Sequence, residues 1–209
     1  MSGHSGGLNA RMPDDVTYDT LDESYVSVND GLVFPNVQSC MALVLRGSPQ
    51  GMVAGYHCTI ATTREELQAI AGPVTAQLGR NFSELYLLGS VSLRKTGQSV
   101  AAESRFRRPL KRLLREVFGY DGVIRYFDTS SVNKIGWVFS AWRDPRTNLT
   151  CLAGGEGGTI GARAAPFSLT VRMWDHGHGR LAEVPNHRRP RLCQQPATAP
   201  IPLRGLAVL

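Results

Sequence analysis

Apolar residues fall in short runs along the chain, and the spacing of those runs predicts its elements. Ser39–Leu45 (SCMALVL) and Gly51–Ala61 (GMVAGYHCTIA) are separated by RGSPQ, whose Gly, Ser and Pro are turn formers, so the pair predicts a β-hairpin. Thr62 and Thr63 stand three residues before Glu65 and Glu66, the spacing of a reciprocal N-terminal cap, and Leu67, Ile70 and Ala71 follow as the start of a helix. Gly72-Pro73 is expected to kink or divide this helix before Leu78. Glu84–Leu88 (ELYLL) reads as a buried strand ending at Gly89-Ser90. From Phe106, the apolar positions Leu110, Leu113, Leu114, Val117 and Phe118 trace one face of an amphipathic helix, with Pro109 confined to its first turn and Gly119 as its stop. Val123–Phe127 (VIRYF) reads as a further strand. Ile135–Trp142 and Leu149–Ala153 flank Asp144-Pro145-Arg146 as a second hairpin, in which Trp137, Phe139 and Ala141 alternate as a buried face does.

The resulting order, ββαβαβββ, predicts an α/β (α+β) layered sandwich: a mixed β-sheet with two main helices packed on it. GGEGGTIGARAA matches neither a dinucleotide-binding nor a P-loop pattern and reads as a loop, after which Phe167–Trp174 adds a strand. Residues 1–24, rich in Ser, Gly and Asp, read as a flexible acidic N-terminal arm. Residues 25–175 then form a single α/β domain, and 176–209, with Pro185, Pro190, Pro196, Pro200 and Pro202 among Arg188, Arg189 and Arg191, form a basic Pro-rich tail.

With 209 residues, 42% of them hydrophobic, the chain can bury one sizeable core, which excludes a disulfide miniprotein. No stretch approaches the roughly 18 consecutive apolar residues of a membrane-spanning helix. Met1–Arg11 lacks a signal peptide's basic start and apolar run, so the expected location is the cytoplasm, or a host cytosol reached by secretion without a Sec signal. Cys40, Cys58, Cys151 and Cys193 are too scattered for a disulfide framework, and reduced thiols are expected. The net charge of +6 is unevenly placed. Between Arg11 and Arg46 every charged residue is acidic, whereas Arg94–Arg115 holds eight cations against Glu103 alone. Such a stripe can meet nucleic acid, an anionic membrane surface or an acidic protein partner, though a solvated helix face is the commoner case; an acidic protein partner is the expected one, and nucleic acid and membrane insertion are not expected. His176, His178, His187 and Cys193 are too irregularly spaced for a zinc pattern, so no metal and no cofactor is expected.

The first hairpin carries the candidate chemistry. With its turn centred on Ser48-Pro49, Cys40 lies directly opposite His57, and directly opposite side chains share a sheet face. A thiol sulfur and an imidazole nitrogen within about 4 Å would meet the requirement of cysteine nucleophilic catalysis. Cys58 points to the other face and is expected to pack.

Ser39-Cys40, followed 17 positions after the Cys by His57 at the end of a glycine-containing strand (GMVAGYH), resembles the CheD family of chemoreceptor glutamine deamidases, and also the Cys–His pair of cytotoxic necrotizing factor-type toxins. The likeness extends in order through the capped helix, LLGSVSL, the helix ending Phe118-Gly119, Asp128-Thr129 and the final hairpin, roughly residues 29–153. It implies a layered α/β sandwich and a protein-glutamine deamidase whose thioester forms at Cys40, with His57 as acid and base. Its substrate is a protein presenting a Gln side chain, on a chemoreceptor or, for a bacterial effector, on a host protein. The family's third catalytic residue, a Thr, falls on Phe34, so His57 is expected to be oriented by Asn36 or by a main-chain carbonyl in Val33–Gln38. A transglutaminase using the same dyad, and a catalytically silent module binding through its basic helix and tail, are the competing readings.

Overall fold

Strands buried on both faces read as continuous apolar runs, and MALVLRG is one: every residue of β4 (Met41–Gly47) is buried. In the computed structural model this strand is central to a sheet that is covered on both sides. The structure describes residues 16, 18–47, 52–93, 107–130, 136–156, 171–184, 199–201 and 206–209. The remaining described strands are β1 (Tyr18–Thr20), β2 (Tyr25–Asn29), β3 (Gly31–Val37), β5 (Val53–Cys58), β6 (Phe82–Gly89), β7 (Ile124–Asp128), β8 (Trp137–Arg143), β9 (Thr150–Glu156), β10 (Arg172–Asp175), β11 (Arg180–Glu183), β12 (Ala199–Pro200) and β13 (Ala207–Val208). The helices are α1 (Arg64–Leu78) and α2 (Arg107–Phe118).

The strands form two sheets, where the sequence led us to expect one. The larger runs β11-β10-β2-β5-β4-β6-β7-β13, antiparallel except for the β6–β7 pair; the smaller runs β1-β3-β8-β9-β12. Met41, Leu43, Leu45, Ala54, Tyr56 and Cys58 of the large sheet pack with Leu67, Ile70, Val74, Leu110 and Leu114 of the helices. The alternate residues Ala42, Val44, Val53 and Leu88 meet Leu32, Phe34, Phe139, Ala141 and Leu152 of the small sheet. The architecture is thus an α+β sandwich of helices, large sheet and small sheet. Gly55 lets the two sheets approach closely, since a Cβ there would lie 2.6 Å from both Leu32 and Phe34.

The expected capping box is formed: Thr63 accepts from the backbone N–H of Glu66 at 3.2 Å, and Glu66 accepts from that of Thr63 at 3.3 Å. The division expected at Gly72-Pro73 does not occur. The helix runs unbroken through Pro73, with Ile70, Ala71, Val74 and Leu78 buried to either side, so core packing overrides the backbone preference. On α2, Arg112 reaches Glu116 at 3.8 Å, Arg64 of α1 reaches the same Glu116 at 2.8 Å, and Lys111 Nζ donates to the Leu209 carbonyl at 2.7 Å.

Both outer boundaries read from composition shift. Residues 18–24 belong to the fold: β1 pairs with β3, Leu21 is fully buried, and Ser27 Oγ donates to the buried Asp19 carboxylate at 2.5 Å. Beyond residue 176, β11, β12 and β13 each add to a sheet, and Ile201, Leu206 and Leu209 are buried. The strand expected at Phe167–Trp174 is described from Arg172; Gly154, Gly155 and Glu156 of the glycine-rich stretch, expected as loop, continue β9, and residues 157–170 lie outside the described residues.

Near the β4–β6 pair's far end, a polar network ties the sheets together. Arg46, 8% exposed, reaches Glu84 at 3.5 Å and Thr150 Oγ1 at 3.1 Å, and Nη2 meets both the Asn148 carbonyl and, at 3.2 Å, its Oδ1. Arg46 is buried while Glu84 is a quarter exposed, so removing the guanidinium mainly leaves the Thr150 hydroxyl and the Asn148 carbonyl without their donor. Arg46→Ala is therefore expected to lower stability by about 1–3 kcal/mol in urea unfolding, whereas a change within experimental error would show that the network does not hold the sheets.

Candidate active site at one end of the inter-sheet layer

The hairpin forms as β4 and β5, but two residues out of the expected register. Met41 pairs with Cys58 and Ala42 with His57, so His57 faces Ala42 and not Cys40. A shift of two residues preserves the face, whereas a shift of one would have reversed it. Cys40, just before β4, buries with Ala42 in the inter-sheet layer, and His57 points to that same side, edge-on to Phe34 at 6.2 Å between ring centres. Cys58 lies among the helix-facing residues as expected. The nucleophile candidate and the imidazole are therefore diagonal neighbours, a pairing that spans about 7–8 Å between backbones.

No hydrogen bond joins the two side chains. Cys40 Sγ donates instead to Glu23 Oε1 at 3.3 Å, and His57 Nδ1 lies 2.9 Å from the carbonyl oxygen of Leu21. A carbonyl only accepts, so Nδ1 carries the proton and Nε2 presents a lone pair. That Nε2 is buried and has no hydrogen-bond partner among the described residues.

The acceptor for His57 is thus a main-chain carbonyl, but from the segment between β1 and β2 and not from Val33–Gln38. Asn36 takes no part: it is exposed, has φ +51°, and sits at the register break between Phe34 and Val37, with Gly136 beside its Oδ1. Its shared parity with Cys40 carries no meaning, because the chain crosses from the small sheet to the large one between Val37 and Met41. Phe34 is fully buried, filling the space that Gly55 leaves and forming a wall against the His57 ring.

Residues 21–24 enclose the site. Tyr25 N–H donates to the Asp22 carbonyl at 3.0 Å, closing a tight turn whose third residue, Ser24, has φ +67°. His57 holds this turn at two points: its ring takes the Leu21 carbonyl, and its own carbonyl accepts from Ser24 N–H at 2.9 Å. Trp174 N–H donates to the Ser24 carbonyl at 2.9 Å, and His176 Nε2 lies 3.0 Å from the Ser24 hydroxyl. His178 turns elsewhere, to Asp175 at 2.7 Å, while His187 and Cys193 lie outside the described residues. Across β4, the Ser90 N–H donates to the Cys40 carbonyl at 3.0 Å and its hydroxyl to the Gln38 carbonyl at 2.5 Å, with Thr129 N–H on the Gly89 carbonyl next in line at 2.9 Å.

Burial, and then the hydrogen bond to Glu23, push the Cys40 thiol up to about 12. At pH 7 a thiol of that acidity is ionised in about one molecule in 10⁵, too few for direct attack. Burial lowers His57, against the opposing pulls of the Leu21 carbonyl, Glu23 and Asp22. The site as folded pairs a protonated thiol with a neutral imidazole, and a thiol proton needs a base that Glu23 currently stands in for.

Neither Glu23 nor Leu21 was foreseen. Glu23 falls in a stretch whose acidity reads as solvated, and Leu21 acts through its backbone, which has no signature of its own. No protein-family model matches the chain, and no curated protein matches it.

The His57 environment gives a signed pH dependence. Its folded pKa lies below the ordinary histidine value near 6.5, so below that value the unfolded chain binds a proton that the folded chain does not. Stability present above this range is lost as pH falls toward the folded pKa, with a slope of at most about 1.4 kcal/mol per pH unit. His57→Gln is expected to flatten this acid loss in urea unfolding between about pH 7 and about pH 5. Parallel curves for the two proteins would show that His57 takes up its proton at the same pH folded as unfolded, against the lowered value.

Proposed function

We propose that this protein is a cysteine-dependent protein-glutamine deamidase with Cys40 as nucleophile and His57 as acid and base. The observation that carries the reading is the unpartnered Nε2 of His57: a buried lone pair, fixed by the Nδ1–Leu21 bond, on the same sheet face as a buried thiol. Leaving such a nitrogen without a partner is unfavourable, and a neutral imidazole nitrogen left open in this way is available to accept a proton. The Ser39-Cys40 and GMVAGYH resemblance to CheD-like deamidases supplies the reaction class.

In the proposed reaction the thiol proton passes to Nε2 as sulfur attacks the Gln side-chain carbonyl carbon. The tetrahedral intermediate collapses when the imidazolium returns that proton to the amide nitrogen, which leaves as ammonia. A water molecule then gives a proton to Nε2 and attacks the thioester, releasing Glu and the free thiol. Main-chain anchoring of the ring needs no side chain, which accounts for a Phe at position 34.

The test is intact-mass and peptide mapping of glutamine-bearing proteins, including chemoreceptor fragments, after incubation with the chain. Conversion of Gln to Glu, abolished by Cys40→Ser and lowered about 10²–10⁴-fold by His57→Ala, is expected. Amine-labelled product in place of Glu would make the protein a transglutaminase. Equal conversion with Cys40→Ser would end the catalytic reading.

A further inference from the structure

Glu23 has an unusual position for an acidic turn residue. Its backbone belongs to an exposed turn, yet its carboxylate reaches a sulfur whose residue is only 4% exposed, with Oε1 3.3 Å from Sγ. A side chain that runs from solvent to the buried thiol marks the route by which a substrate side chain of the same length would enter. Glu is also what remains when Gln has lost ammonia: the two are isosteric, and in the product state a carboxylate oxygen lies beside the cysteine sulfur. The second nearby group is independent of the thiol, the buried and unpartnered Nε2 of His57 on the same face.

We infer that Glu23 sits in the product position of this chain's own active site, and that the substrate glutamine is carried, as Glu23 is, at the second position of a tight turn. The inference rests on the deamidase reading above and narrows its substrate class. The occupant turn is closed by the Asp22–Tyr25 bond and has a left-handed residue directly after the reactive position, a place that Gly or Asn takes readily and that Ser24 takes here. In this turn Asp22 and Glu23 are exposed while Ser24 is buried, so a substrate turn of the same shape would have its reactive residue at the rim, and the pocket need admit only the carboxamide arm. As long as the turn is held by His57 and Trp174, the chain is inhibited in cis by its own product-like residue.

The geometry makes the chain a substrate for itself once position 23 is amidated. In Glu23→Gln, Sγ would bond to the carbonyl carbon of the introduced carboxamide, the carbon–nitrogen bond would break with loss of ammonia, and water would hydrolyse the thioester to regenerate Glu23 and the thiol. The full-length Glu23→Gln chain is therefore expected to be recovered, by intact mass and peptide mapping, with Glu at that position. Conversion should be first-order, independent of protein concentration, and absent when Cys40→Ala is added.

Cys40 alkylation by iodoacetamide gives a readout that needs no turnover. Glu23→Ala is expected to raise the Cys40 rate at neutral pH by about tenfold or more, through access and through loss of the neighbouring carboxylate, with Cys58 and Cys151 unchanged. An unchanged Cys40 rate, in a variant whose circular dichroism matches wild type, overturns the occlusion. Retention of the introduced glutamine in Glu23→Gln, alongside Cys40-dependent deamidation of other proteins, overturns the product-position inference and leaves the deamidase reading standing. Faster alkylation with no Cys40-dependent conversion of that glutamine or of any on an added protein instead overturns the deamidase reading, and with it the substrate class.

Discussion

The buried hydrogen bond from His57 Nδ1 to the Leu21 carbonyl, 2.9 Å long, sets the geometry of this end of the sandwich. It fixes the imidazole as the Nδ1–H tautomer and so decides that Nε2 is the basic nitrogen. With the Ser24 N–H bond to the His57 carbonyl, it also fastens the Asp22–Tyr25 turn to β5, where Glu23 reaches Cys40. Tautomer and lone pair thus follow from one contact between a side chain and a backbone oxygen, which also helps to place the thiol's partner. Hydrogen bonds inside a low-dielectric layer are stronger than in water, and both atoms here lie between sheets with little competing solvent.

The surrounding sandwich explains why such a contact persists. Phe34 lies edge-on to the buried His57 ring, Leu21 is fully buried beside it, and Gly55 leaves out a Cβ that would clash with Phe34 and Leu32. At the opposite end of β4 the Arg46–Glu84–Thr150 network supplies a second polar tie between the sheets. The layer between the sheets is therefore apolar along its middle and polar at its two ends, one structural in character and one with an unsatisfied base. Under the proposed chemistry the burial that lowers His57 and raises Cys40 is a resting condition. A substrate carboxamide replacing Glu23 would remove the carboxylate that opposes thiol ionisation.

What the sequence disclosed follows from how local each signal is. The hairpin, the capping box at Thr63 and Glu66 and the amphipathic stripe of α2 are set by neighbours within a few residues, and all are found in the structure. The face shared by Cys40 and His57 was legible because strand periodicity survives a two-residue shift, while the direct pairing was not, since it depends on turn geometry that RGSPQG does not decide. The alternation of Val26 and Val28, and the run Leu32-Val33-Phe34, were readable signals for β2 and β3 that the acidic residues around them obscured. β1 was harder to read, because it buries Asp19 and Thr20, residue types that composition assigns to solvent. Pro73 misled in the opposite sense, since its helix is held by packing. Glu23 and the Leu21 carbonyl act across long sequence separations, one from an exposed turn and one through backbone, and no spacing pattern announces either.

Whether His57 is held neutral with its lone pair on Nε2 is read directly by nitrogen-15 NMR of the chain labelled at histidine, followed as pH is lowered. A single His57 tautomer is expected, with a pyrrole-type Nδ1 and a pyridine-type Nε2, that stays neutral through the range in which an ordinary histidine near 6.5 takes up its proton. A protonated Nε2, or titration of His57 at the ordinary value, would contradict it.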